Sequence, residues 1–187
     1  MIVNSCTKDE SAQGITEPEN PYKYIVAGDK SSQNINYIDL VNDTLRVNSY
    51  SGSFTDSISI DFNNDNVMDI KFEAISSSTM QEGSARVTVI SLNKTEILID
   101  SVGPLSLISG EKIMQDSILS FLESGFMAGE FHSRSGQGSS GNWLQTENKY
   151  LGFKFFSTDN EEFFGWIRMD CFSNSNGLVV KDFAYRK

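Results

Sequence analysis

The sequence predicts an all-β fold, an antiparallel β-sandwich or jelly roll with a disordered amino-terminal tether. Short segments alternate apolar and polar residues with a period of two, and Asn, Asp and Gly residues separate them. Helical spacing is partial and confined to residues 112–132. The length of 187 residues suits one domain with its own core. We therefore expect a lipobox-like start and tether over residues 1–21 and a single sandwich domain over residues 22–187.

The amino terminus predicts a tether and an anchor. Residues 7–21 are polar and acidic, hold two of the three prolines, and lack apolar periodicity. Before them, Val3-Asn4-Ser5-Cys6 resembles the end of a bacterial lipobox, so Cys6 is the predicted lipidation site. The alternatives are a free Cys6 and a disulfide between Cys6 and Cys171, but Cys171 alternates with Ile167 and Met169 and is predicted as a small core residue. The chain is either cytoplasmic or was preceded by an export signal. The lipobox-like residues favour the second, so we expect a lipid-anchored, extracytoplasmic protein exposed on the bacterial outer membrane.

The strands follow in order from the alternating segments. Predicted strands cover residues 22–27, 36–40, 44–48, 57–62, 70–74, 86–92, 96–100, 150–156, 163–172 and 178–185. Asn42 and Asp43 are predicted to turn the chain between the second and third of these. Residues 112–132 are predicted as either a short helix or a long ordered loop, because Gly125 and Gly129 interrupt their spacing. Residues 133–142 are predicted as a Gly/Ser loop.

Composition narrows the classes of partner. The net charge of -10 and the pI of about 4.5 argue against nucleic acid, which is bound through clustered Lys and Arg. The same charge disfavours adsorption to an anionic bilayer, so contact with a membrane is expected only through the lipid anchor.

An acidic loop predicts a calcium site. Asp61, Asn63, Asp65 and Asp69 supply side-chain oxygens at the first, third, fifth and ninth positions of the loop, and Val67 can offer a backbone carbonyl at the seventh. A divalent cation would relieve the repulsion among the three carboxylates. The sixth and twelfth positions of an EF-hand call for Gly and Glu, but this loop has Asn66 and Phe72 there, so we expect a calcium-clasped β-turn. The alternative is a hairpin turn satisfied by water and its own backbone.

Several blocks give the chain a family resemblance. The acidic loop, Lys149–Phe155, Phe164-Gly165-Trp166-Ile167-Arg168 and Asp182–Tyr185 resemble blocks in a group of uncharacterised bacterial secreted and surface lipoproteins. That group carries a D-N-D-G-x-x-D strand motif and a YGWIR-like carboxy-terminal β block. The resemblance implies a β-sandwich, secretion and calcium, and brings no known ligand or activity.

Catalytic motifs are weak. Gly136, Gly138 and Gly141 match G-x-G-x-x-G by letter, but no βαβ pattern surrounds them, so they are predicted as loop. His132 is the only histidine and lies near no nucleophile elbow. Carboxylates for glycoside hydrolysis remain available in Glu123, Glu130, Glu162 and Asp170.

The tryptophans suggest a ligand site. Trp166 lies between large apolar residues and is predicted in the core. Trp143 ends the Gly/Ser loop and is predicted as an exposed platform for a sugar ring. We therefore expect a surface-anchored binding or adhesion module whose partner is a glycan or a surface protein. Two alternatives remain open: a carboxylate-dependent glycoside hydrolase or other hydrolase, and a structural subunit of a surface assembly.

Overall fold

The computed structural model describes residues 24–47, 52–79, 81–114, 117, 119–172 and 175–186. Every regular element in this part of the chain is a strand, which confirms the predicted all-β class. The strands are β1 (Tyr24–Val26), β2 (Asn36–Arg46), β3 (Gly52–Ile60), β4 (Ile70–Ser78), β5 (Gly83–Ser91), β6 (Glu96–Leu98), β7 (Lys112–Met114), β8 (Leu119–Ser120), β9 (Gly125–Ser133), β10 (Gly136–Ser140), β11 (Lys149–Phe156), β12 (Glu162–Cys171) and β13 (Gly177–Arg186). The described residues include no helix with the length and hydropathy needed to span a bilayer.

Two antiparallel sheets form the sandwich. One has five strands in the order β10-β9-β5-β4-β3, and the other has six in the order β2-β13-β12-β11-β6-β8. Their facing sides meet in one apolar core, where Phe62 stacks on Phe153 with ring centroids 4.0 Å apart. Ile167, Met169 and Cys171 alternate into this core, as the sequence predicts.

A ribbon of β1 and β7 adds a third layer on the outside of the six-stranded sheet. Ile25 and Ile113 of the ribbon are buried against Trp166 in a second apolar cluster. Trp166 is thus a core residue, as predicted, but it belongs to the outer core rather than to the space between the two large sheets.

A β-bulge in β13 decides which side chains reach the outer core. Val180 faces the inner core, and a period of two would put Asp182 there as well. The register shifts between Val180 and Asp182, so Lys181 is the extra residue and Asp182 pairs with Arg168 on the other face. The bulge therefore keeps a carboxylate out of the inner core.

Asp182 is the centre of a buried ion cluster. It has no solvent exposure, accepts hydrogen bonds from Arg168 at 2.9 and 2.6 Å, and accepts others from Lys30 at 2.7 Å and Tyr37 at 2.9 Å. Burial acts to raise its pKa, but the bonds from Lys30 and Arg168 outweigh burial, so the pKa of Asp182 lies below its usual value. The cluster fastens the segment after β1 to the sheet.

Three predictions of local structure are wrong. Residues 36–46 form one strand instead of two, because Asn42 and Asp43 continue along β13 opposite its bulge rather than turning the chain. Most of the described part of residues 112–132 forms β7, β8 and β9 instead of a helix or a long loop, since each segment finds a strand partner; residues 115, 116 and 118 lie outside the described residues. Gly136–Ser140, expected within a loop, is the edge strand β10 paired to β9.

Candidate functional site

The acidic loop joins β3 to β4, and its side chains turn inward. Asp61 accepts hydrogen bonds from the amides of Asp65 and Asn66 at 3.2 and 2.7 Å. Asn63 accepts from the Asp65 amide at 3.2 Å, and Asp65 accepts from the Val67 amide at 2.9 Å. Side-chain oxygens of the first, third and fifth positions are thus gathered over the loop's own amides.

Two asparagines give the loop its curvature. Asn64 and Asn66 adopt positive φ angles of 61° and 69°, the left-handed conformation that Asn tolerates better than most residues. Asn66 therefore fills the position where the resembling group carries Gly, as the sequence argument requires. The Val67 side chain is 39% exposed, so it takes no part in the core.

Asp69 is the one buried carboxylate of the acidic loop. Only 1% of it is exposed; its carboxylate accepts from the Phe62 amide at 2.8 Å and from the Asn93 side chain at 3.4 Å. Burial is the largest cause that raises the pKa of Asp69 from 3.8 to about 6, and the charges of Asp61 and Asp65 push it the same way. A nearby cation would relieve this cost.

The arrangement of the acidic loop falls short of a finished metal site. Within the described residues, no three His, Cys, Asp or Glu side chains form a group that could hold a metal ion. Asp61, Asn63 and Asp65 are gathered together, whereas the oxygens of Asp69 are engaged by Phe62 and Asn93. Calcium binding therefore stays a prediction.

The prediction of an exposed Trp143 is wrong. Trp143 is fully buried in the inner core, and its indole N–H donates to the carbonyl of Pro104 at 3.0 Å. The turn after β10 folds inward because the Trp143 amide bonds the carbonyl of Met127 at 3.1 Å. A sugar ring has no access to the indole.

The remaining predicted residues are placed as follows. Cys6 and the tether lie outside the described residues, and Cys171 is a buried free thiol. Asp170 forms an ion pair with Lys181 at 2.6 Å, which is the role of a structural carboxylate. Glu123 and Glu162 line neither of the two grooves that are described below.

Glu130 and His132 line a polar groove of about 640 Å³ beside β10. Burial raises the pKa of Glu130, and His132 opposes that rise. The His132 ring lies over Gly83, where an added Cβ would come within 2.3 Å of its Cε1. The imidazole is thus held by packing against the sheet.

A second groove, of about 400 Å³, lies on the outer face of the five-stranded sheet. The strand register places three rows of side chains across this face, opposite to the face that carries Phe72, Ala74 and Val87 into the core. The rows are Ser53, Ser77, Ser84, Phe131 and Gly138; Thr55, Ile75, Arg86, Gly129 and Ser140; and Ser57, Glu73, Thr88 and Phe126. We call this groove the sheet-face groove.

Two phenylalanines form its walls. Phe126 and Phe131 are 37% and 57% exposed, and they stand in the rows on either side of Gly129. The Phe126 ring lies over Gly129, where an added Cβ would be 2.8 Å from Cε2, and the Phe131 ring lies over Gly138 at 2.6 Å from Cε1. Both rings rest on glycine and present their other faces to solvent.

The middle row of the groove holds one charge. Arg86 is exposed and forms no ion pair with any residue that the structure describes. The nearest carboxylate along the same face, Glu73, is paired with Lys71 at 2.9 Å. Ser77, Ser84 and Ser140 add hydroxyl groups around the guanidinium.

The sheet-face groove could not be predicted from the sequence because its lining residues come from separate segments of the chain. Phe126 and Phe131 fall in the segment whose spacing was ambiguous, and Gly138 and Ser140 fall in the stretch predicted as loop. One signal was present: Ser84, Arg86 and Thr88 alternate with apolar neighbours in β5, which indicates one polar face of that strand. Only the pairing of β9 with β5 brings the two halves together.

Comparison with known proteins adds no family: no family model, no curated protein and no solved structure matches the chain.

Proposed function

We propose that this protein is a glycan-binding module whose ligand lies in the sheet-face groove. The observation that carries the proposal is the pair of exposed rings, Phe126 and Phe131, which stand in the rows on either side of Arg86 and each rest on a glycine. The C–H-rich face of a sugar ring packs well on an aromatic face. A groove of about 400 Å³ lies within the range of small-ligand sites and suits a short glycan segment.

The chemistry of the lining supports a sugar over a purely apolar ligand. Apolar area from Ile75 and the two phenylalanines alternates with the hydroxyls of Ser77, Ser84 and Ser140. A sugar presents the same alternation of C–H and O–H groups, so its hydroxyls would find partners while its ring is desolvated. The groove lies on a rigid sheet, which reduces the ordering cost of binding.

Calcium, in this proposal, has a structural role in the acidic loop. Asp61, Asn63 and Asp65 would provide side-chain oxygens, Val67 its carbonyl, and Asp69 a charge whose burial is costly without a cation. The ion would hold the connection between β3, an edge strand of the five-stranded sheet, and its neighbour β4. Its binding free energy would then add to folding stability.

The cellular location is also proposed from the sequence. A lipid on Cys6 and the acidic tether to residue 21 would hold the sandwich at the outer surface of a bacterial outer membrane. A chain with net charge -10 would be repelled by anionic lipids, and the tether would keep the sandwich clear of them. A glycan there would reach the sheet-face groove directly.

A glycan array tests the proposal, with calcium present. We expect the wild type to bind a subset of glycans and Phe126→Ala and Phe131→Ala to bind them at least tenfold more weakly, which is about 1.4 kcal/mol. Phe121→Ala is the matched control, because Phe121 is 50% exposed and lies outside the groove. Bound glycans are recovered and checked for cleavage.

Two outcomes would overturn the proposal. The first is a wild-type protein that binds no glycan while its tryptophan fluorescence shows it to be folded. The second is equal binding by wild type, Phe126→Ala and Phe131→Ala. Cleavage of a bound glycan would show that the protein is a glycoside hydrolase rather than a binding module.

A further inference from the structure

We infer that the sheet-face groove selects a sugar that carries a carboxylate, and that Arg86 is the group that recognises it. This inference rests on the proposed function, since it names the class of glycan for the same groove. Within the described residues Arg86 forms no ion pair, as is also true of other exposed basic side chains such as Lys94 and Arg134. Arg86 differs from them in its place, since it lies in the middle row of the sheet-face groove.

The position of Arg86 leaves its guanidinium open to a ligand. Its register partners are Ile75 on β4 and Gly129 on β9. Ile75 offers no acceptor, and Gly129 has no side chain. The neighbours of Arg86 across the sheet are therefore the apolar side chain of Ile75 and the Phe126 ring that lies over Gly129, and neither can accept a hydrogen bond from the guanidinium as a carboxylate would.

The carboxylates that could neutralise Arg86 are otherwise engaged or face elsewhere. Glu73, in the adjacent row, is paired with Lys71 at 2.9 Å. Glu130 borders the groove, but its register partner is Ala85, a buried residue, so its side chain belongs to the opposite face of the sheet. Arg86 thus keeps its five donors for an incoming group.

Geometry favours a carboxylate attached to a ring. Arg binds a carboxylate through two parallel N–H···O bonds, which fixes the plane of the acid. Phe126 and Phe131 lie in the rows on either side of Arg86, so a sugar ring packed against one of them would bring a ring carboxylate over the middle row. A uronic acid has this combination of an apolar ring face and a carboxylate attached directly to a ring carbon.

Local charge outweighs the acidic character of the whole chain. At physiological ionic strength charges are screened over about 8 Å, so the net charge of -10 acts weakly on a ligand already in contact with Arg86. The acidic surface elsewhere would instead reject anionic ligands that miss the groove. Selection for an acidic sugar would therefore be confined to this one place.

The experiment compares one oligosaccharide in two forms. The probes are an oligogalacturonate and the same oligosaccharide with every carboxylate methyl-esterified, which keeps the rings and removes the charge. Binding is measured by calorimetry with wild type, Arg86→Gln, Phe131→Ala and Arg134→Gln. Arg134 is the matched control because it is exposed at the tip of the β9–β10 hairpin and lies outside the groove.

We expect the acidic form to bind the wild type roughly 10- to 100-fold more tightly than the ester, the range that a hydrogen bond to a charged group provides. Arg86→Gln should remove this preference, so that the acidic form and the ester bind the variant with equal affinity. Arg134→Gln should keep the preference, and Phe131→Ala should weaken both forms alike. Added salt should weaken the acidic form only.

The outcomes separate this inference from the proposed function. Equal affinity for acid and ester, with both weakened in Phe131→Ala, would overturn the acidic specificity and leave the glycan module standing. Preference for the acid that survives in Arg86→Gln would overturn the role of Arg86. No binding of either form here, together with no binding on the array, would overturn the glycan module itself.

Discussion

Asp69 offers a test of the acidic loop that needs no ligand. Its carboxylate is buried and close enough to Asp61 and Asp65 for their charges to raise its pKa. Asp69→Asn removes the charge while leaving an oxygen that can accept from the Phe62 amide, the shorter of the two bonds that Asp69 accepts. We expect this variant to be more stable than the wild type at neutral pH in the presence of a chelator.

The magnitude follows from the pKa. A carboxylate whose pKa is raised on folding binds more protons in the folded state, so stability falls as the pH rises. This contribution is fully present below the unfolded pKa of 3.8 and is lost as the pH rises through about 6. The difference between these two values, at about 1.4 kcal/mol for each pH unit, corresponds to about 3 kcal/mol at neutral pH.

Urea unfolding followed by tryptophan fluorescence measures the effect. Trp143 and Trp166 are both fully buried, so unfolding moves both indoles into water. The free energy of unfolding of Asp69→Asn minus that of the wild type should be near zero at pH about 4 and should rise to about 1–3 kcal/mol at pH about 8. Asp159→Asn, at an exposed turn, is the matched control and should show no such rise.

Groups other than Asp69 titrate in both proteins, and the difference between the two curves removes their contribution. A difference in the free energy of unfolding that stays constant from pH about 4 to pH about 8 would contradict a raised pKa of Asp69 in the folded protein. So would an Asp69→Asn variant that is less stable than the wild type at pH 8 in chelator.

Three further predictions concern other parts of the molecule. Calcium at about 10 mM should stabilise the wild type by about 1.4–2.7 kcal/mol if its dissociation constant is about 0.1–1 mM. Asp65→Ala should abolish the difference in melting temperature between calcium and chelator. Equal melting of the wild type in both conditions would contradict a structural ion. Asp182→Ala should cost about 1.5–3 kcal/mol in urea unfolding, because the partly exposed Arg168 and Lys30 lose their charged hydrogen-bond partner, and a loss below about 1 kcal/mol would contradict that role. Burial raises the pKa of the Cys171 thiol to about 12, so in a Cys6→Ser background a thiol reagent should label the chain only at the rate of unfolding; fast labelling of the native protein would contradict the burial.

The alternation of apolar and polar residues predicted most of the strands. Alternation over residues 70–74 and 150–185 marked strands whose apolar sides do form the inner core, because one face of each strand must leave water. Asn66 was expected to accept a left-handed turn, and its φ of 69° agrees. These features depend on a residue and its immediate neighbours, which the sequence displays directly.

The tertiary structure alone decided where the sheet-face groove lies. Gly138 and Ser140 have no strand preference of their own, and they form β10 only because β9 provides a partner for their backbone. Phe126 and Phe131 look like ordinary core residues in the sequence, and the bulge between Val87 and Thr88 fixes which side of β9 they face. Trp143 shows the reverse case, since a turn that reads as exposed is folded inward to meet Pro104.

By itself, then, the sequence determined the all-β class, most strand positions, the core role of Trp166 and Cys171, and the acidic loop. Pairing partners, bulges and the third layer lay beyond it, because they depend on contacts between residues far apart in the chain. Arg86 illustrates the division. Its charge and its place in an alternating segment can be seen in the sequence. Its position between Phe126 and Phe131, away from the carboxylates of the described residues, exists only once five strands lie side by side.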